Sequence, residues 1–144
     1  MATSSTTSPL KLLLTGLVPS SADIPQWATA LYGTGPEIEA KVQADAQRLR
    51  SAGHDITLYY FDDQDPATGL KWLEETLKRE KFQGIQVGSG LRLLPQHMVL
   101  FENVLDTCRR WAPGSVFLFN DGPGTSWDAV MRNEEKLRDV VVAV

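Results

Sequence analysis

The stretch "QVGSGLRLLPQH", residues 86–97, holds most of the groups in this chain that could do chemistry. Gly88 and Gly90 allow backbone N–H groups to come close to a bound molecule, with the Ser89 hydroxyl between them. Arg92 carries a cationic fork suited to carboxylate or phosphate. Pro95 reads as the first residue of a helix, which puts Leu94 at the N-cap without a side-chain acceptor for the early amides. Such a helix start attracts water or an anion. His97, in that first turn, would touch the ligand and move a proton. Downstream, "FNDGPGTSWD" offers Asn120 and Ser126 as hydrogen-bonding partners, and Glu102 lies where it would orient Arg92. The chemistry expected of this set is anion binding, with proton transfer or simple hydrolysis through His97. The plainer alternative is a tight glycine turn, an Arg92–Glu102 surface pair and a water-capped helix.

Several familiar arrangements do not fit. A dinucleotide fingerprint needs a third glycine where Leu93 stands, and it follows a first strand instead of a third. Val87 occupies the glycine position of a nucleophile elbow, so Ser89 lacks the setting of a nucleophile. Cys108 is the only cysteine, and His54 and His97 are far apart, so no metal site or disulfide is expected. Asp62, Asp63 and Asp65 follow an edge strand, with Asp65 already used as a helix cap. No cofactor is implied. The net charge of −4, and acids interleaved with bases at Glu74/Lys78 and Glu75/Arg79, argue against a nucleic-acid partner.

The elements that must position these groups alternate. Continuous apolar runs at 10–18, 55–61, 84–88 and 115–120 predict strands covered on both faces. Helical periodicity covers 36–52, 66–81 and 95–111, and a last helix starts near Thr125, where Asp128 stands at capping-box spacing. Their inward stripes are Ile38, Val42, Leu49 and Ala52, then Leu70, Leu73 and Leu77, then Phe101, Val104, Leu105, Cys108 and Trp111. This alternation predicts an α/β fold, a three-layer sandwich with a four-stranded parallel sheet in order 2-1-3-4, flavodoxin-like or Rossmann-like. Ligands in such sheets sit where strand order reverses, here between strands one and three. Residues 15–35, 88–94 and 120–125 meet there. The 19–35 connection is long and holds Trp27 and Tyr32, as a lid or binding loop would, or as packing would.

Residues 1–9 read as a disordered leader, 10–136 as one domain, and 137–144 as an apolar tail in a subunit interface. The tail keeps a helical period, while its β-branched run favours a strand. The apolar run at 10–18 loosely imitates a signal peptide, but Lys11 is its only cation and the run is short, so a cytoplasmic protein with no membrane partner is expected. Open sheet edges predict a homodimer.

With "VGSGLR" followed by "LPQHMVLFENVLDTCRRWAPGSVFLFNDGP" and a final "AVMR", residues 10–133 resemble a family of short bacterial and fungal proteins with no assigned reaction. Its matching positions are Gly88, Gly90, Arg92, Pro95, Phe101, Glu102, Pro113, Asn120 and Pro123. The resemblance implies a single flavodoxin-like or Rossmann-like domain and brings no activity with it. The segment with Trp27 and Tyr32 and the tail after Arg132 look particular to this chain. Two functions remain open: a protein holding an anionic small molecule at the carboxyl edge of the sheet, or a non-catalytic, self-associating interaction module.

Overall fold

The computed structural model describes residues 8–21 and 25–140; the expectations for residues 1–7 and 141–144 lie outside them. Four parallel strands, β1 (Lys11–Leu17), β2 (Asp55–Phe61), β3 (Gly84–Val87) and β4 (Val116–Leu118), form one sheet in the order β2-β1-β3-β4. This is the three-layer α/β arrangement with flavodoxin-like strand order. Among the described residues the helices are α1 (Gln26–Tyr32), α2 (Gly35–Ser51), α3 (Pro66–Arg79), α4 (Ser89–Arg92), α5 (Met98–Trp111), α6 (Ser126–Arg132) and α7 (Glu134–Arg138). A short 3-10 turn, Pro95–His97, leads into α5.

Strand alternation sends neighbouring side chains of β1 into two separate cores. Leu13 and Leu17 join Leu73 and Leu77 of α3 and Val104 and Cys108 of α5 on one face. Leu12 and Leu14 join Ala46 and Leu49 of α2, Ala129 and Val130 of α6 and Leu137 of α7 on the other. A strand buried on both faces has no polar side, which is why its sequence lacks alternation.

The α3 stripe is as expected, capped by Asp65, whose Oδ1 accepts from Thr68 N at 3.4 Å. In the α5 stripe Val104 and Cys108 are buried, with Phe101, Leu105 and Trp111 packed against them. Several local expectations need correction. Ala52 is exposed beyond the end of α2. That helix begins with a capping box between Thr34 and Glu37. Arg79 pairs with Glu80 at 3.3 Å and not with Glu75. Thr125 does not cap α6, because its hydroxyl accepts from the Asp121 and Gly122 amides instead. The cap comes from α2: the buried Asp45 carboxylate accepts from Ser126 N and from Trp127 N. Leu137 lies wholly inside the core, so α7 packs as part of this unit. Its residues 134–138 are helical.

Candidate functional site

A hollow of about 840 Å³, its mouth included, opens at the carboxyl ends of β1 and β3, where the strand order reverses. Its floor is a row across the sheet. Leu58, Leu14, Gln86 and Leu118 are in register on the four strands, and the first three line the hollow. Ile38 and Val42 of α2, Ala28 and Trp27 of α1, and Ser126 at the start of α6 form the walls. Among the described residues no charged side chain lines it.

Gln86 is the anomaly in that row. It is 4% exposed, and its Oε1 is buried with no hydrogen-bond partner. Leaving such an acceptor unpaired costs about 1–3 kcal/mol, which an apolar side chain at the same place would avoid. Buried atoms of Arg92, His97, Trp111 and Arg138 also lack partners, but none of those residues lines the hollow. A glutamine inside the four-residue run "GIQV", otherwise apolar, was the available signal for this residue; sequence reasoning passed over it.

The glycines of "VGSGLR" answer to packing. A Cβ on Gly88 would meet Thr15 O at 2.7 Å and Gly16 Cα at 2.9 Å, and one on Gly90 would meet Leu17 Cβ at 3.1 Å. The turn is therefore pressed against the end of β1, which closes one side of the hollow. Its amides are largely spent. Ser89 N donates to Asn120 Oδ1 at 2.9 Å, while Leu91 N and Arg92 N return to Gly88 O. Asn120 also donates from Nδ2 to Gly122 O at 2.8 Å, so both ends of its amide brace the loops that frame the mouth.

Of the expected site residues, Gly88, Ser89, Gly90, Asn120 and Ser126 meet at this hollow. Arg92, His97 and Glu102 do not. Arg92 donates to the Asn120 carbonyl and its guanidinium lies 5.3 Å from the centre of the Phe119 ring. The residue sits on the short helix α4, a turn before the expected helix start, and this directs the guanidinium to β4's end. Arg92 is thus engaged by the loop after β4 and does not line the hollow. His97 is buried at the junction of the 3-10 turn with α5, outside the lining. Glu102 is exposed and borders a different surface hollow beside Asp106 and Arg109, so it does not orient Arg92.

Among the described residues, the titratable side chains that line the hollow are phenols. Tyr60 lines it, its hydroxyl accepting from Gln43 Nε2 at 3.3 Å, and burial pushes its pKa up. Tyr32 donates to Asp121 O at 2.9 Å, tying α1 to the loop after β4. Elsewhere, burial raises the Cys108 thiol to about 12, which removes it as a nucleophile. Fold and site together define a parallel α/β unit with an uncharged, mostly apolar hollow at the sheet's reversal. No protein-family model matches the chain, and a search of the curated proteins finds no match. Among the described residues no helix is long and apolar enough to cross a membrane.

Proposed function

We propose that the protein binds a small, neutral, largely apolar molecule in the hollow at the carboxyl ends of β1 and β3. The observation that carries this reading is the lining itself: aliphatic and aromatic side chains with a few inward polar groups and no formal charge. An anion entering it would lose hydration and gain no opposing charge. The same lining favours binding over catalysis, since among the described residues its titratable side chains are the phenols of Tyr32 and Tyr60.

A thermal-shift and NMR titration series tests it with neutral aromatics on one side and phosphate and benzoate on the other. Neutral compounds should raise the melting temperature, and Val42→Phe, which fills the hollow from α2, should abolish the effect without unfolding the protein. A phosphate response lost in Arg92→Ala would restore the anion reading and overturn this one.

A second reading rests on the rim. Trp27 and Leu93 border the mouth and are half exposed, and Leu31, Met98 and Val99 are more exposed still. Such residues suit self-association through this end of the molecule. Sedimentation over a concentration series checks it: a concentration-dependent dimer weakened by Leu31→Glu supports this reading, and a monomer throughout removes it.

A further inference from the structure

We infer that the molecule held in the hollow carries an uncharged oxygen group, a hydroxyl or a carbonyl, at one end of an apolar body, and that the hydroxyls of Ser89 and Ser126 hold that group. The inference rests on the binding role proposed above and specifies its ligand class.

Most polar side chains of the lining are already committed. The Thr15 hydroxyl donates to the Gln86 backbone carbonyl at 2.6 Å, Asn120 is engaged at both ends of its amide, and Tyr32 donates to Asp121 O. The Tyr60 hydroxyl bonds Gln43 in an exposed contact, and Gln86 Oε1 is enclosed. The two serine hydroxyls differ from all of these. Their backbone amides are used, Ser89 N on Asn120 Oδ1 and Ser126 N on the Asp45 carboxylate, so neither helix start is free to bind. Among the described residues, however, neither hydroxyl has a hydrogen-bond partner. Unlike the Gln86 oxygen, neither is enclosed, so each keeps accessible surface. Ser126 is only 4% exposed and lines the hollow, so the space its hydroxyl reaches is the hollow itself.

The two serines share one side of that space. Ser89 follows β3, and Ser126 ends the loop that Asn120 begins after β4. Toward β2 the floor is Leu14 and Leu58. An apolar molecule filling the hollow would strip water from both hydroxyls and return no hydrogen bond, which is unfavourable for each group left unpaired. An uncharged oxygen group at the serine end removes that penalty, because a serine hydroxyl both donates and accepts. A charged group is disfavoured, since among the described residues the lining holds no ionic side chain.

Thymol, a phenol uncharged near neutral pH, and para-cymene, which has the same carbon skeleton without the hydroxyl, form a matched pair of probes. Calorimetric titration gives the ratio of their affinities for the wild-type protein and for variants. In the doubly substituted Ser89→Ala, Ser126→Ala protein that ratio should fall at least about tenfold through loss of thymol affinity, with each single variant showing part of the loss. Cymene affinity should stay within about twofold of the wild type, which also verifies that the hollow remains intact. A ratio unchanged by both substitutions, or an equal loss for both probes, would overturn the inference and leave the hollow as a neutral binding site. Absence of binding by both probes and by the neutral aromatics above would overturn the binding role itself.

Discussion

The two ends of the sheet treat their polar groups in opposite ways. At the amino end, the residues just before the strands tie one another down. Leu10 N donates to His54 Nδ1 at 3.0 Å, Lys11 N donates to Gln83 Oε1 at 2.7 Å, and the Ser115 hydroxyl donates to Phe82 O at 2.6 Å. Beneath them Gly84 is packed so closely that a Cβ would meet Leu137 Cδ2 at 2.6 Å and Leu118 Cδ1 at 2.9 Å. At the carboxyl end, on β3 and three residues after Gln83, Gln86 borders the hollow and its Oε1 is buried without a partner. Two glutamines three residues apart thus differ: the part-buried Gln83 closes a structural bond, and the buried Gln86 oxygen has no partner. The lesson is that tight packing and open space are segregated along the strand axis, as the topology of parallel sheets favours.

The sharpest way to break that contrast is to attack the closed end. Leu137→Ala should cost about 2–5 kcal/mol in urea denaturation, because a wholly buried side chain packed over Gly84 is removed. A loss near zero would mean that α7 is not part of the core. At the open end, Gly88→Ala should cost about 1–3 kcal/mol, since its methyl would run into the backbone of Thr15 and Gly16, which cannot move aside as a side chain could. Asp45→Ala should cost about 1–2 kcal/mol through two lost hydrogen bonds to the α6 amides.

A smaller effect belongs to His54. Burial, then the nearby Arg138 cation, hold its pKa below the ordinary 6.5, with Glu134 opposing. The unfolded chain therefore takes up the proton first, and protonation would also remove the acceptor for Leu10 N. The stability this group contributes is full above about pH 6.5 and falls as pH drops through the lower folded-state value. Melting curves between about pH 7.5 and about pH 5.5 should decline more steeply for the wild type than for His54→Asn, which keeps an acceptor and does not titrate. Parallel curves would show that His54 does not carry the dependence.

The architecture was legible because its signals are long. Runs such as "LKLLLTGLV" and "DITLYYF" need both faces covered, and helices with several inward leucines leave few topologies. The position of the site was legible for the same reason, since strand order alone locates the reversal. The identity of its groups was not. Arg92 drew attention as the lone cation beside two glycines, but a one-turn helix, too short to show periodicity, directs it to the Asn120 carbonyl. Asp45 sits on a helix among other polar residues, and its role as a cap for α6 depends on a partner 81 residues away. Gln86 was visible as a polar residue in an apolar strand, but only the structure shows its oxygen buried without a partner.

The most direct measurement is the unfolding free energy of ligand-free Gln86→Met against the wild type. If the Gln86 oxygen is buried without a partner, replacing the side chain with an apolar one of equal length should stabilise the protein by about 1 kcal/mol. A loss of that size would mean that Gln86 belongs to the closed, structural network like Gln83, and the contrast between the two ends would not hold.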